Sequence, residues 1–344
     1  MAREKFLVAL FLFCIPMLLA ASGMYEEQVF PYNEQSTITV YTPHEQPPMK
    51  TTIKEFQETC GIMVNIVSAG TGQLLERILQ EQKNGKPVCD VFWGGGAESV
   101  AANEDLFESF ICASDALIPA ESKDPGNRWV GESPAPVVIM YNTMLVSPQE
   151  VPTGWKDLLE SRWKGKIAFA DPNLSGSAYT LLCTMLTAME SQPQEGWKYI
   201  QRLVENLEGH ILDNSASVYD LVAAGEYYIG LTQEKSVQTA LQGGAHVAIA
   251  YPSEGTSAVP DAIAIPKGCT NHAGALRFID FVLDDANQNM MAILFNRRPV
   301  RTDLLPPEGL PAMDTIHLVD YDLAWAAREK QNNLLRWNSI LSIR

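Results

Sequence analysis

The sequence predicts an α/β protein: two lobes, each a mixed, mainly parallel sheet flanked by helices, joined by a two-crossing hinge. Three observations lead there. Strand-like runs alternate with amphipathic helical runs from residue 37 onward. Several of these runs meet at turns rich in Gly, Ser and Thr. Two stretches, 131–141 and 257–266, are placed to carry the chain from one lobe to the other and back, which makes the first lobe discontinuous.

In chain order, Arg3 and Lys5 precede an apolar run over 6–21 that Pro16 interrupts, and Ala20, Ala21, Ser22 and Gly23 follow. A run that short and broken, ending in small residues, predicts a cleaved signal peptide over 1–23 and a periplasmic mature chain. Cys14 follows Phe13 rather than a small residue, which disfavours lipidation. Strands are expected at 37–41 (TITVY), 63–67 (MVNIV), 88–93 (VCDVFW), 137–141 (VVIMY), 166–170 (KIAFA), 227–231 and 247–251. Between them, 73–82 places Leu74, Leu75, Ile78 and Leu79 on one helical face, and 217–224 does the same with Val218, Leu221 and Val222. The expected lobes are 36–134 with 264–344, and 135–263.

Composition narrows the function. The chain of 344 residues carries a formal charge of -16, and that acidity repels nucleic acid and anionic membrane alike. Five cysteines survive cleavage, Cys60, Cys89, Cys112, Cys183 and Cys269, and none has metal-ligand spacing. They read as buried thiols, with at least one unpaired. The sequence lacks a G-x-S-x-G elbow, an H-E-x-x-H helix and a Walker loop, and Leu75 stands where a dinucleotide fingerprint needs its third glycine. Neither catalysis, a cofactor nor a metal site is expected.

The strand-to-helix junctions carry the most chemistry. SAGTG with Thr71 and Gly72, GGGAES with Gly95, DPNLSGSAYT with Ser175, Gly176 and Ser177, and DNSAS with Asp213, Asn214 and Ser215 all end a strand and open a helix. The first N–H groups of a helix lack partners and lie at its positive end, so such junctions bind anions without lysine. In an open α/β sheet they gather beyond the carboxyl ends of the strands. Each polar residue also suits a plain helix cap. Thr42 and His44 follow the first strand to the same edge, and Glu234 follows another. Carboxylates such as Asp213 and Glu234 accept hydrogen bonds from hydroxyls or an ammonium. Trp93 is expected to be core.

Taken together, ITVYTPHE, GIMVNIVSAGTGQLLERI, CDVFWGGG, DPNLSGSAYT, AAGEYYIGLTQE and RRPVR resemble the type 2 periplasmic solute-binding proteins of ABC importers, in the branch of ferric-iron, aminoethylphosphonate and hexose-phosphate receptors. The resemblance implies a monomeric carrier that closes on a small ligand and delivers it to a membrane permease. Ferric receptors in this branch place adjacent tyrosines just after the strand that follows a Gly-Glu pair, and this chain has Lys235 and Ser236 there. Tyr227 and Tyr228 sit at the start of that strand and read as packing residues. The SGSAYT turn resembles the phosphoryl-binding turn of the other receptors. A sugar phosphate or phosphonate is therefore the expected ligand, ferric iron is the alternative, and a secreted enzyme on the same fold is a second one.

Overall fold

A computed structural model describes residues 37–44, 46–190, 192 and 194–342; the signal peptide expected at 1–23 lies outside them. The chain opens with β1 (Thr37–Thr42), α1 (Gln46–Cys60), β2 (Met63–Ser68), α2 (Thr71–Lys83), β3 (Val91–Gly96) and α3 (Ala97–Ala101). Two further strands follow, β4 (Phe107–Glu108) and β5 (Val130–Pro134). The second sheet begins at β6 (Val137–Asn142) and continues through β7 (Ile167–Ala170), α4 (Gly176–Met189), α5 (Glu195–Leu207) and β8 (Ile211–Leu212). Next come α6 (Ser215–Ala223), β9 (Ile229–Gln233), α7 (Glu234–Gln242) and β10 (Val247–Ala250). Then β11 (Pro260–Pro266) returns to the first sheet, and α8 (His272–Val282), α9 (Asp285–Phe295), α10 (Leu323–Arg328) and α11 (Lys330–Ser342) complete the chain.

The first sheet runs β2-β1-β3-β11-β4 with β5 on β11, and the second runs β10-β6-β9-β7-β8. Within them β1, β2 and β3 are parallel, as are β7, β8 and β9. Every antiparallel strand-to-strand ladder among the described residues involves β6 or β11. Those are the strands on which the chain changes lobe, so each sheet is parallel on one side and antiparallel on the other. The parallel part is covered on both faces. Val91 and Trp93 point into a core with Phe56 and Phe278, while Phe92 between them points into a second core with Leu74, Leu75 and Ile78. Alternation along a strand that is apolar on both faces produces this.

A third passage joins the lobes. Thr256, between β10 and β11, donates its N–H to the His317 carbonyl at 2.8 Å and accepts from the Val319 N–H at 2.7 Å. Tyr321 then touches both the core around Phe92 and the core of the second sheet, and α10 packs on α3. Trp337 on α11 is fully buried in a third core, that of the second sheet, edge-on to Phe169 at 5.7 Å, with its indole Nε1 donating to Asp171 at 3.2 Å. Arg336 covers the ring of Trp197 at 4.6 Å. The span 264–344 expected in the first lobe thus ends in a strap buried against the second. None of Cys60, Cys89, Cys112, Cys183 and Cys269 is in a disulfide.

If the strap completes the core of the second sheet, Trp337→Ala removes a large buried ring that the rest cannot replace. It is expected to lower stability by about 3–5 kcal/mol in urea unfolding. A loss under about 1 kcal/mol, the usual range of surface substitutions, would show that the strap is peripheral.

Candidate functional site

The strand-to-helix junctions open onto one cavity of about 540 Å³ between the lobes. It is lined by His44 and Thr71, by Gly95, by Ser175, Gly176 and Ser177, and by Asp213, Asn214 and Ser215. Helix α2 starts at Gly70 with no side-chain cap, which leaves its first N–H groups available. Ser175 caps α4 by accepting from the Ala178 N–H at 3.3 Å, and its hydroxyl lies 3.1 Å from that of Ser177. Asn214 caps α6 through the Ser217 N–H at 2.8 Å. Capping and exposure to the cavity coexist, since a hydroxyl that accepts one bond still has a proton to donate.

The junction glycines have a packing reason. A Cβ on Gly95 or on Gly176 would stand 2.8 Å from the Thr71 hydroxyl oxygen. On Gly70 it would meet the Leu174 carbonyl at 2.6 Å, and on Gly72 the Asn173 carbonyl at 2.9 Å. Thr71, 3% exposed, is therefore wedged between the two lobes, and only glycine permits that approach. Deeper between the lobes, the Thr180 hydroxyl donates to the carboxylate of Glu98, both fully buried, and burial raises the Glu98 pKa.

Three expected site residues do not line the cavity. Thr42 is fully buried and uses its hydroxyl to accept the His44 N–H at 3.1 Å, so it shapes the turn that presents the imidazole. Gly72 faces a neighbouring groove beside Asn173. Glu234 is held by a two-point ion pair with Arg298, at 2.7 and 2.9 Å, and by the Tyr251 hydroxyl. It is 1% exposed and has no capacity left for a ligand. Its neighbours Gln233 and Lys235 line the cavity instead, as does Asp261 from β11, and none of the three was anticipated. The available signal was the alternation of side chains around Glu234, together with the arginines of RRPVR, which required a buried acid. Trp93 is core, its Nε1 donating to Glu132 at 2.6 Å. Tyr227 bonds His210 at 2.8 Å and Tyr228 lies under Lys166 at 4.5 Å, both away from the cavity.

Behind the cavity floor, charges are paired rather than exposed. Lys235 is bound to Asp261, and His44 Nε2 approaches Glu132 at 2.6 Å in a charge contact that lacks hydrogen-bond alignment. Arg297 stands 3.5 Å from the same carboxylate. Burial raises the Glu132 pKa, but His44, then Arg297 and Trp93, outweigh it and hold the group at about 2. His44, Glu132 and Asp261 have ligand atoms within 4.8 Å of one another, near enough to share a metal ion. Lys235 and Arg297 already neutralise the two carboxylates, and an ammonium on one of them opposes a second cation.

The profile of the bacterial extracellular solute-binding protein family matches residues 51–315. Iron uptake protein A1 of Synechocystis is 26% identical over 276 residues, covering 75% of this chain and 74% of that protein. A putative 2-aminoethylphosphonate-binding periplasmic protein of Salmonella typhimurium is 26% identical over 261 residues, 74% of each chain. Among solved structures, the periplasmic binding protein AfuA of Actinobacillus pleuropneumoniae, with fructose-6-phosphate bound, superposes with a TM-score of 0.82 at 22% identity, over 90% of this chain and 99% of that one. That likeness shows the fold.

The depressed Glu132 carboxyl sets an acid limit. Its contribution is complete above its ordinary value of 4.5 and is lost as pH falls through about 2. Urea midpoints taken from pH 5.5 to 2.5 are expected to fall more steeply for the wild type than for Glu132→Gln. Parallel curves would sink this assignment.

Proposed function

The chain belongs to the bacterial extracellular solute-binding protein family, whose members serve ABC importers and are not enzymes, and from that premise we propose that its cleft captures a small phosphorylated solute. A sugar phosphate such as a hexose phosphate, or a phosphonate, fits the lining. The observation that carries this reading is the turn Ser175, Gly176 and Ser177 at the start of the 14-residue α4, facing the Thr71 junction in the same cavity. Hydroxyls, first-turn N–H groups and the positive end of a helix dipole converge there, and all of them favour an oxyanion. Asp213 and Asn214, with His44 opposite, are left for the hydroxyls or ammonium of the organic part. Glu234 has no part in it.

Capture in this reading is closure of two lobes on the ligand, followed by release to a membrane permease. The mature chain acts as a monomer in the periplasm, exported by the leader at 1–23. The alternative ligand, ferric iron, draws support from His44, Glu132 and Asp261. Against it stand Lys235 on Asp261 and the absence of tyrosine from the cavity floor at residues 233–235. Hard ferric ion calls for charged oxygen donors, whereas these carboxylates are already matched by cations.

Calorimetry of the wild type against hexose phosphates and 2-aminoethylphosphonate is expected to show tight binding. The double substitution Ser175→Ala with Ser177→Ala removes two donors to a charged group, each worth about 1.5–3 kcal/mol. It should weaken binding by several kcal/mol, and loss of the α4 cap at Ser175 should lower stability by about 1 kcal/mol, well short of unfolding. Wild-type affinity in that variant would put the anion elsewhere. A visible charge-transfer band on adding ferric citrate, with silence across the phosphorylated panel, would replace this reading with the iron one.

A further inference from the structure

The turn that joins β9 to α7 holds two polar groups that capping and lobe packing leave unused. Gln233 is 4% exposed, its side chain lines the cavity, and its Nε2 has no hydrogen-bond partner. Lys235 is 8% exposed, lines the same cavity, and is held by Asp261, itself 2% exposed. Glu234 between them leaves the turn on the opposite side, toward Arg298. Successive side chains are sorted in this way, one to the lobe contact and two to the cavity. A buried amide donor without a partner is costly, and an ammonium has three N–H bonds, of which the Asp261 carboxylate does not satisfy all. Both groups have donors to spare, and both are held in place by their surroundings.

We infer that Lys235 and Gln233 determine ligand specificity by reading the anionic head, the ammonium through a charge-assisted bond and the amide Nε2 through a second oxygen. This rests on the anion reading of the cavity given above and deepens it. Asp261 holds the Lys235 side chain in place, so that side chain does not have to be ordered when the ligand arrives. The donors then include the Ser175 and Ser177 pair, which spends one of its two hydroxyl protons on its own hydrogen bond, with one amide and one ammonium from a different element. A tetrahedral phosphoryl or phosphonyl group offers three terminal oxygens to such a set. A planar carboxylate offers two oxygens in one plane, which suits donors arriving from several directions less well. The substrate class selected is the phosphoryl or phosphonyl solute over its carboxylate counterpart.

The test uses the mature chain, with glucose 6-phosphate, 2-aminoethylphosphonate and glucuronate as calorimetric probes. Three variants are compared with the wild type: Lys235→Met; Lys235→Met with Asp261→Asn, which leaves no buried carboxylate orphaned; and Gln233→Leu. Removing the ammonium is expected to weaken the phosphorylated probe about tenfold to a hundredfold, as loss of a charge-assisted bond does. The preference over glucuronate should shrink by a similar factor, a change that a purely structural role would not produce. Lys235→Arg should restore part of the affinity. Wild-type affinity and preference in the folded double variant would overturn the role of Lys235. If Ser175→Ala with Ser177→Ala still lost binding, the anion site itself would stand. Failure of the wild type to bind either phosphorylated probe would overturn both.

Discussion

The start of α7 is where this structure is tied together. Glu234 forms a two-point ion pair with Arg298, and the adjacent Lys235 is bound to Asp261 on β11. The first partner in each pair comes from the second sheet's lobe and the other from the chain around the first. With Glu132 and His44 beside them, they form a buried set in which every carboxylate has a cation or imidazole close by. Buried pairs add little net stability, because desolvation offsets attraction, but losing one partner costs about 3–5 kcal/mol. Such a set specifies geometry: the lobes can meet in this register and in few others. The cavity lies directly above it and inherits its shape.

The glycine-rich junctions follow from the same constraint. Thr71 of one lobe enters a space between Gly95 and Gly176 that any larger residue would fill. The sequence pattern that suggests an anion cradle is therefore also the pattern of two surfaces built to interlock. These readings do not compete. A helix start that must lie flush against the opposite lobe has to be free of side chains, and the same bareness lets a ligand oxygen reach the backbone N–H groups.

Much of this was legible beforehand, because strands, helices and their junctions are local. The TITVY, MVNIV and IAFA runs become β1, β2 and β7 to within a residue or two, and the four junction segments do gather at one cavity. What escaped notice depends on partners distant in sequence. Glu234 looked free because Arg298 is 64 residues away, and only the fold brings them together. Once it is removed, Gln233 at the end of β9 and Lys235 in the first turn of α7 are left to face the cavity. The strap escaped for the same reason. Nothing near Trp337 announces that Phe169, far upstream, lacks a neighbour. The parallel character of the sheets was read from alternation of element types, whereas the antiparallel half depends on which strands change lobe.

The strap also has a consequence for the order in which the molecule is assembled. Trp337 lies on α11, far downstream in sequence, yet it fills the core of a lobe whose strands begin at Val137. A nascent or truncated chain that stops short of it leaves Phe169 and the face of α4 uncovered. That lobe cannot reach its final packing until residue 337 has been made, so its core is closed by contacts long in sequence. Incomplete copies keep an apolar scar where a complete one has a ring, and it is such scars that chaperones and proteases use to tell the two apart.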